Sequence, residues 1–424
     1  MSSRLGKFVD SVWGSVKTRF SRKSKRDEIS RSRRRDESGP SRSSHWNKSG
    51  SSKRPSLDDD DDDDDESESA PDPLMWSKDL ENHYYGEFSF AVVQGNSEIE
   101  DYSQVETGTN ATFVGVYDGH GGSTTAHYIR DNLFLNLMRF VQENRTMSEA
   151  NLNSAFAATE EGFFSVVDAA YGQEPLTASV GSCCLVGVIW DERLYVANLG
   201  DSRAVKGYLS KSNKIAAEQL TSDHNASSKE VRREMKAMHP GDKNIVFKKD
   251  GMWRVKGIIQ VSRAIGDAYL KKPEYALDAR FSRFHVPERI RRPVLRADPS
   301  MYSRDLKPAD RFFIFASDGL WDHVSNQRAV EIVHKYPRAG IARRLLKSAL
   351  SEAARKNNMT YDELKNQRKG VRRRIHDDTT VVVIFIDNEL LEQKADVPLM
   401  SVLGGFDNPG QSMFNILKET IPNA

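Results

Sequence analysis

The chain has 424 residues, 38% of them hydrophobic and 29% charged, enough for one large domain or two ordinary ones with tails. It contains no run of about eighteen apolar residues, and no charged start leading into an apolar stretch and a small-residue cleavage site, so an intracellular protein without a membrane span is expected. The net charge of +1 hides a segregated pattern: residues 1–56 carry 16 Lys/Arg against 5 Asp/Glu, residues 57–70 carry 10 acids and no base, and the remaining 354 are formally neutral, which argues against nucleic acid as the substrate.

The first predicted element is a basic amphipathic helix over 1–20, because Leu5, Phe8, Val9, Val12, Trp13, Val16 and Phe20 recur at three- and four-residue steps with Arg4, Lys7, Lys17 and Arg19 among them. Three uses fit it: peripheral membrane contact, a transit peptide or, with Arg31-Ser32-Arg33-Arg34-Arg35, a nuclear address. Cytoplasm, nucleus and the inner face of the plasma membrane all stay open. Ser2 offers no glycine for myristoylation. Residues 21–73, rich in Ser, Arg, Lys and Asp, read as a disordered basic and acidic linker, since they hold too few apolar groups to offset chain entropy. Within it the unbroken Asp58–Asp65 run either solvates the linker or folds back on the basic arm.

From Tyr84 the texture becomes globular and stays so to 387, without internal repeats; 388–424 reads as a C-terminal tail. Strands are predicted at Phe88–Val93, Thr112–Tyr117, Ser182–Trp190, Arg193–Asn198, Gly257–Ser262, Arg311–Ala316 and Thr379–Ile386, each rich in Val, Ile, Phe or Tyr. Helices are predicted at Ser123–Gln142, Ser148–Tyr171, Ser227–Met238, Asn326–Lys335 and Gly340–Asn357. Adjacent strands with intervening helical blocks suggest an α+β domain of packed sheets covered by helices rather than a βαβ barrel. Cys183 and Cys184, the only cysteines, are neighbours in an apolar run and read as buried structural thiols.

Three strands meet acids at one end: FVGVY runs into Asp118-Gly119-His120-Gly121-Gly122, FFIFA into Ser317-Asp318-Gly319, and His376-Asp377-Asp378 leads into TTVVVIFI. One Asp-Gly after a strand is usually a turn. Three acids converging on sheet ends repel one another unless a cation neutralises them, and an all-oxygen set favours Mg²⁺ or Mn²⁺ over zinc. Glycine lets the backbone come close, so the Gly119 carbonyl can itself face a metal. Further acids lie at Glu100-Asp101, at Asp201 in Gly200-Asp201-Ser202-Arg203, at Asp267 in Ser262-Arg263-Ala264-Ile265-Gly266-Asp267, and at Asp322 after Trp321.

VYDGHGG, GDSRA, WRVKGIIQVSRAIGD, ASDGLWD and HDDTTVVV, in this order over residues 86 to 387, resemble the motif set of the type 2C metal-dependent Ser/Thr protein phosphatases. EDYSQVETG, LTSDHN and GDAYLKKPE are most similar to a plant subgroup, of clade D type. The resemblance implies a central β-sandwich of two antiparallel sheets flanked by α-helices, in four αββα layers. It also implies two Mg²⁺ or Mn²⁺ ions bridged by Asp118 and bound by the Gly119 carbonyl, Asp318 and Asp377, with Glu100 and Asp101 acting through waters and Asp201 and Asp322 at a third, weaker metal position. Asp377 is preferred to Asp378 because the family's acid precedes a three-residue step into the last strand.

Such a centre hydrolyses phosphoserine and phosphothreonine with an activated water, without a phosphoenzyme. His120 is the candidate general acid for the departing alkoxide. The resemblance further implies phosphoprotein substrates, small inhibitory proteins as regulators, a plasma-membrane proton pump as a target, and a monomer. One position departs from the family: the Arg that clamps phosphate four residues before the Glu-Asp pair is Asn96 here. Arg203, Lys256 and Arg263 are the replacements considered, though structural salt bridges suit each better, and the phosphate-binding group stays unknown. Two rival readings follow, a catalytically weak or silent phosphoprotein-binding regulator and a two-metal phosphodiesterase; the latter wants a basic, phosphate-tracking surface that the neutral domain lacks.

Overall fold

The computed structural model describes residues 71–387 and 397–414, so the expected 1–20 helix and nearly all of the 21–73 linker lie outside the described residues. One antiparallel sheet is built from β1 (Met75–His83), β2 (Gly86–Val93), β8 (Arg203–Leu209), β9 (Ile215–Gln219), β14 (Asp310–Ala316) and β15 (Thr379–Phe385), in the order β1-β2-β15-β14-β8-β9. The other contains β3 (Asp101–Thr107), β4 (Ala111–His120), β6 (Cys184–Trp190), β7 (Arg193–Leu199), β13 (Ser300–Asp305), β16 (Met400–Leu403) and β17 (Gly410–Gln411), in the order β13-β7-β6-β4-β3-β16-β17. Short β5 (Gly181–Ser182) joins the end of β4 to β12 (Ile265–Gly266). The hairpin β10 (Val246–Lys249) and β11 (Met252–Val255) stands apart from both sheets.

Alternation of side chains along each strand explains the layering. In β15, Val382 and Ile384 join Phe90, Val114, Val116, Leu185, Phe313 and Phe315 in the core between the sheets. Val381, Val383 and Phe385 face the other way, onto α5 (Asn326–Lys335) and α6 (Ile341–Lys356) beyond the short α4 (Asp318–Trp321). Phe113, Val186 and Val188 likewise face α1 (Thr124–Asn144) and α2 (Glu149–Ala170). Both faces of each sheet are therefore apolar, and the result is the expected four-layer αββα sandwich. Among the described residues no helix is long and apolar enough to cross a membrane.

Three segments differ from expectation. The predicted Gly257–Ser262 strand is a turn with isolated bridges; the ladder hydrogen bonds go to Met252–Val255 instead, and Gly257 at φ +68° turns the chain away. The ordered domain reaches beyond 84–387 on both sides. β1 supplies an edge strand from Met75, and just before it the Asp72 carboxylate takes a bidentate pair, 2.8 Å each, from fully buried Arg372. Part of the expected 388–424 tail extends the other sheet: Val402 lies opposite Val105, and Phe414 packs on Phe134 at 4.9 Å. Short polar stretches hid both edges, because edge strands need only one apolar row.

Candidate metal centre

The acids meet at one end of the sandwich because antiparallel neighbours bring the end of one strand beside the start of the next. β3 opens at Asp101 directly opposite Asp118 near the end of β4. β14 closes at Ala316, and Asp318 opens α4 two residues later, while Asp377 precedes Thr379, the first residue of β15 and neighbour of that end. Asp101 ties the sheets together: its Oδ2 accepts from Ser317 Oγ at 2.8 Å and Thr380 Oγ1 at 2.9 Å. Gly119 is required where it stands, since a Cβ there would meet the Glu100 carbonyl oxygen at 2.5 Å.

Burial, then the charge of neighbouring acids, pushes these carboxyls up. Asp118 is raised well above the usual range by burial and by Asp318, Asp101, Asp377 and Asp201, and Asp318 by burial, Asp201, Asp377, Asp322 and Asp101. Asp101 and Glu100 are raised by burial and by Asp378 and Asp377. Among the described residues no hydrogen bond or ion pair reaches the carboxylates of Asp118 or Asp318. Packed acids without protein donors suit a bound cation, and oxygen-only donors suit a hard divalent one, so the site fits the metal the sequence implied.

Asp377 and Asp378, adjacent in sequence, do different work. Asp378 is saturated: Oδ1 accepts from the Gly95 and Asn96 amides (2.7 and 2.9 Å), and Oδ2 from the Glu100 amide and Asn96 Nδ2 (2.6 and 3.1 Å). It anchors the loop that carries Glu100, whereas Asp377, whose Oδ1 accepts from the Asp378 amide at 2.8 Å, is the one whose charge acts on Asp118 and Asp318. Asn96, at the departure from the family pattern, braces both, its Nδ2 also reaching Asp377 Oδ1 at 3.3 Å.

Asp201 joins the group, its carboxylate within 4.8 Å of Asp118 and the Cys183 thiol. Cys183 Sγ donates to Asp201 Oδ1 at 3.3 Å, and Asn225 Nδ2 donates to Oδ2 at 2.6 Å. Burial and the charges of Asp201 and Asp118 push the Cys183 thiol well up, so it stays a neutral donor rather than a metal-binding thiolate. Both cysteines are free and buried. Asp322 stands at the rim, its carboxyl raised by its partial enclosure and by Asp201.

His120 lies beside the acids, with Nε2 2.8 Å from Asp267 Oδ2. Burial lowers its pKa, but the charge and hydrogen bond of Asp267, then Asp201 and Glu100, outweigh that and leave it raised. Asp267 is fully buried, adopts a left-handed backbone (φ 51°) and keeps Oδ1 without a partner. Gly181 faces the pair, and any side chain there would collide with both.

The three cations considered for phosphate are committed elsewhere. Arg203 pairs with Asp223 at 2.6 Å, Lys256 with Asp242 at 2.6 Å, and Arg263 with Glu234 at 2.9 Å. Among the described residues Arg373 touches the acid cluster, 2.8 Å from Asp377 Oδ2 with its side chain 49% exposed. It escaped the sequence reading because it sits in a run, Arg372-Arg373-Arg374, whose members look alike. Its i,i+4 spacing to Asp377 was the available signal.

A family model described as Protein phosphatase 2C matches residues 93–358, which leaves Asp377 to be argued from geometry. Over 347 residues the chain is 60% identical to "Probable protein phosphatase 2C 43" of Oryza sativa subsp. japonica, covering 82% of this chain and 89% of that one. Over 350 residues it is 59% identical to "Probable protein phosphatase 2C 68" of Arabidopsis thaliana, covering 81% and 89%. A serine-threonine phosphatase 2C from Toxoplasma gondii, at 18% identity, shares the fold with a TM-score of 0.53 over 74% of this chain and 100% of that chain.

Proposed function

The chain belongs to the protein phosphatase 2C family, and on that premise we propose how its acid cluster performs the reaction. It is a metal-dependent Ser/Thr protein phosphatase, a hydrolase whose substrates are phosphoproteins. Two Mg²⁺ or Mn²⁺ ions would be held here by Asp118, the Gly119 carbonyl, Asp318 and Asp377, with Glu100 and Asp101 contributing through waters. Asp201 and Asp322 would hold a third, weaker ion. The observation that carries this reading is the set of crowded acids that raise one another's pKa while Asp118 and Asp318 have no donor among the described residues.

Metals bound there would supply a more acidic water at neutral pH and positive charge for the phosphoryl oxygens. The chain's own groups do the rest. His120 carries the proton for the leaving Ser/Thr oxygen; Asp267 holds Nε2, which leaves Nδ1 to donate. Arg373 takes the phosphate-binding role vacated at Asn96, exchanging Asp377 for a phosphoryl oxygen. The catalytic unit runs from Asp72 through Phe414 as a monomer inside the cell, residues 1–20 offer an anionic membrane a basic surface, and small inhibitory proteins regulate it, the last on family likeness alone.

The test is hydrolysis of p-nitrophenyl phosphate and a phosphothreonine peptide by metal-stripped protein with Mg²⁺, Mn²⁺ or Ca²⁺ added back. Activity with Mg²⁺ or Mn²⁺ that vanishes in Asp118→Asn and Asp318→Asn supports the reading. Folded wild type that stays inactive on the peptide with either metal overturns it in favour of the phosphoprotein-binding alternative.

A further inference from the structure

α3 (Lys229–Met238) buries Val231 and Met235 and turns Lys229, Arg232, Arg233 and Lys236 to the opposite side, at positions i, i+3, i+4 and i+7 of one helical face. With Trp253 of β11 these four cations line a shallow groove of about 250 Å³. Lys248 lies directly opposite Trp253 in the hairpin register, so its side chain extends the same face.

The groove is held in shape before any partner arrives. The Arg232 guanidinium stacks 4.2 Å from the Trp253 ring centroid, and its NH1 donates to the Ala226 and Ser227 carbonyls at 2.7 Å each. Lys229, Lys236 and Lys248 make no ion pair among the described residues, and Arg233 has only a 3.6 Å pair with exposed Glu230. Stability does not account for this surface, because exposed like charges at i,i+3 and i,i+4 repel.

The chain itself limits how far the groove lies from Asp201. Asn225, which donates to Asp201, lies four residues before Lys229, a separation of no more than about 14 Å along the chain. An extended peptide bound at the acids covers such a distance in about four to six residues.

We propose that this groove docks an acidic stretch of the phosphoprotein substrate, four or more residues from the phosphorylated Ser or Thr. The inference rests on the phosphatase reading of the neighbouring site. Spaced carboxylates suit separate Lys and Arg donors, and the Trp253–Arg232 stack gives the peptide backbone a flat floor. A continuous polyanion would want a longer basic track than these few cations on one helix and one hairpin provide.

The experiment compares two phosphothreonine peptides, identical except for Asp/Glu or Asn/Gln at positions four to seven from the phosphothreonine, on full-length wild type and Lys229→Glu/Lys236→Glu. Expected is a KM several-fold lower for the acidic peptide in wild type, a difference that shrinks with added salt and disappears in the variant, while hydrolysis of p-nitrophenyl phosphate is unchanged. Lys248→Glu on the hairpin should weaken the preference independently, which guards against misfolding of the helix variant. Equal KM values for the two peptides in wild type, or a preference that survives both variants, overturns the proposal. Anisotropy of the labelled peptides reads docking without turnover, so an inactive wild type that still prefers the acidic peptide would sink the catalytic reading and leave the groove standing. Equal peptide binding with tight binding to phosphatidylserine vesicles assigns the groove to a membrane surface and overturns the proposal as well.

Discussion

His120 and Asp267, 147 positions apart in sequence, are joined Nε2 to Oδ2 at 2.8 Å across the junction of β5 and β12, with Gly181 leaving room for the contact. The bond holds the imidazole in one orientation. In Asp267→Asn the ring keeps a partner of the same shape but loses the charge that favours its proton. Turnover of a phosphothreonine peptide should fall about 10²-fold, the range for losing a positioned general acid, while p-nitrophenyl phosphate, whose leaving group needs little protonation, should fall far less. An equal fall for both substrates would mean that Asp267 is only structural.

Arg373 provides the second prediction. Arg373→Ala should raise KM for the phosphopeptide about tenfold, the loss expected for one charged hydrogen bond, with Arg373→Lys intermediate. Arg203→Ala, which breaks the pair with Asp223, should lower the melting temperature with a smaller effect on KM. Unchanged KM in Arg373→Ala would remove it from the site.

Repulsion among the acids should be visible without turnover. In metal-free protein, Asp318→Asn removes a crowded charge and should raise Tm by about 1–2 °C, as for a gain near 1 kcal/mol in a domain of this size. Wild type should gain roughly 2.7 kcal/mol from metal at a hundredfold excess over Kd, and the variant much less. Differential scanning calorimetry with and without Mn²⁺ measures both.

His83 makes stability depend on pH. Its ring bridges Thr112 Oγ1 at 2.8 Å and the Phe385 carbonyl at 3.0 Å, and burial lowers its pKa to about 4 despite that carbonyl and Asp387. A histidine held neutral in the fold but free to protonate when unfolded leaves stability intact above about 6.5 and removes it as pH falls toward 4, by roughly 1.4 kcal/mol per pH unit. Denaturant melts between pH 7 and 5 should show this slope reduced in His83→Gln. An unchanged slope would place the acid sensitivity elsewhere.

Much of this was legible in one dimension because each signal was local. The strands Phe88–Val93, Arg311–Ala316 and Thr379–Ile386 are almost wholly apolar, as strands buried on both faces must be, and Asn326–Lys335 announces its helix by spacing. The acids after those strands were visible for the same reason, since strand ends and motifs are contiguous. Gly257–Ser262 misled because Ile258, Ile259 and Val261 look like a strand, whereas their neighbours in space supply no ladder.

The sequence by itself determined the mix of strands and helices and placed acids at three strand ends, while the sandwich and the family came from the resemblance its ordered motifs carry. Only the tertiary structure decided which distant neighbours those groups meet: Asp267 for His120, Asn96 and Glu100 for Asp378, and Asn225 and Cys183 for Asp201. Hydrogen bonds and Coulomb forces act over a few ångströms in space and are indifferent to separation along the chain, so pairings up to 282 residues apart leave no periodic trace to read.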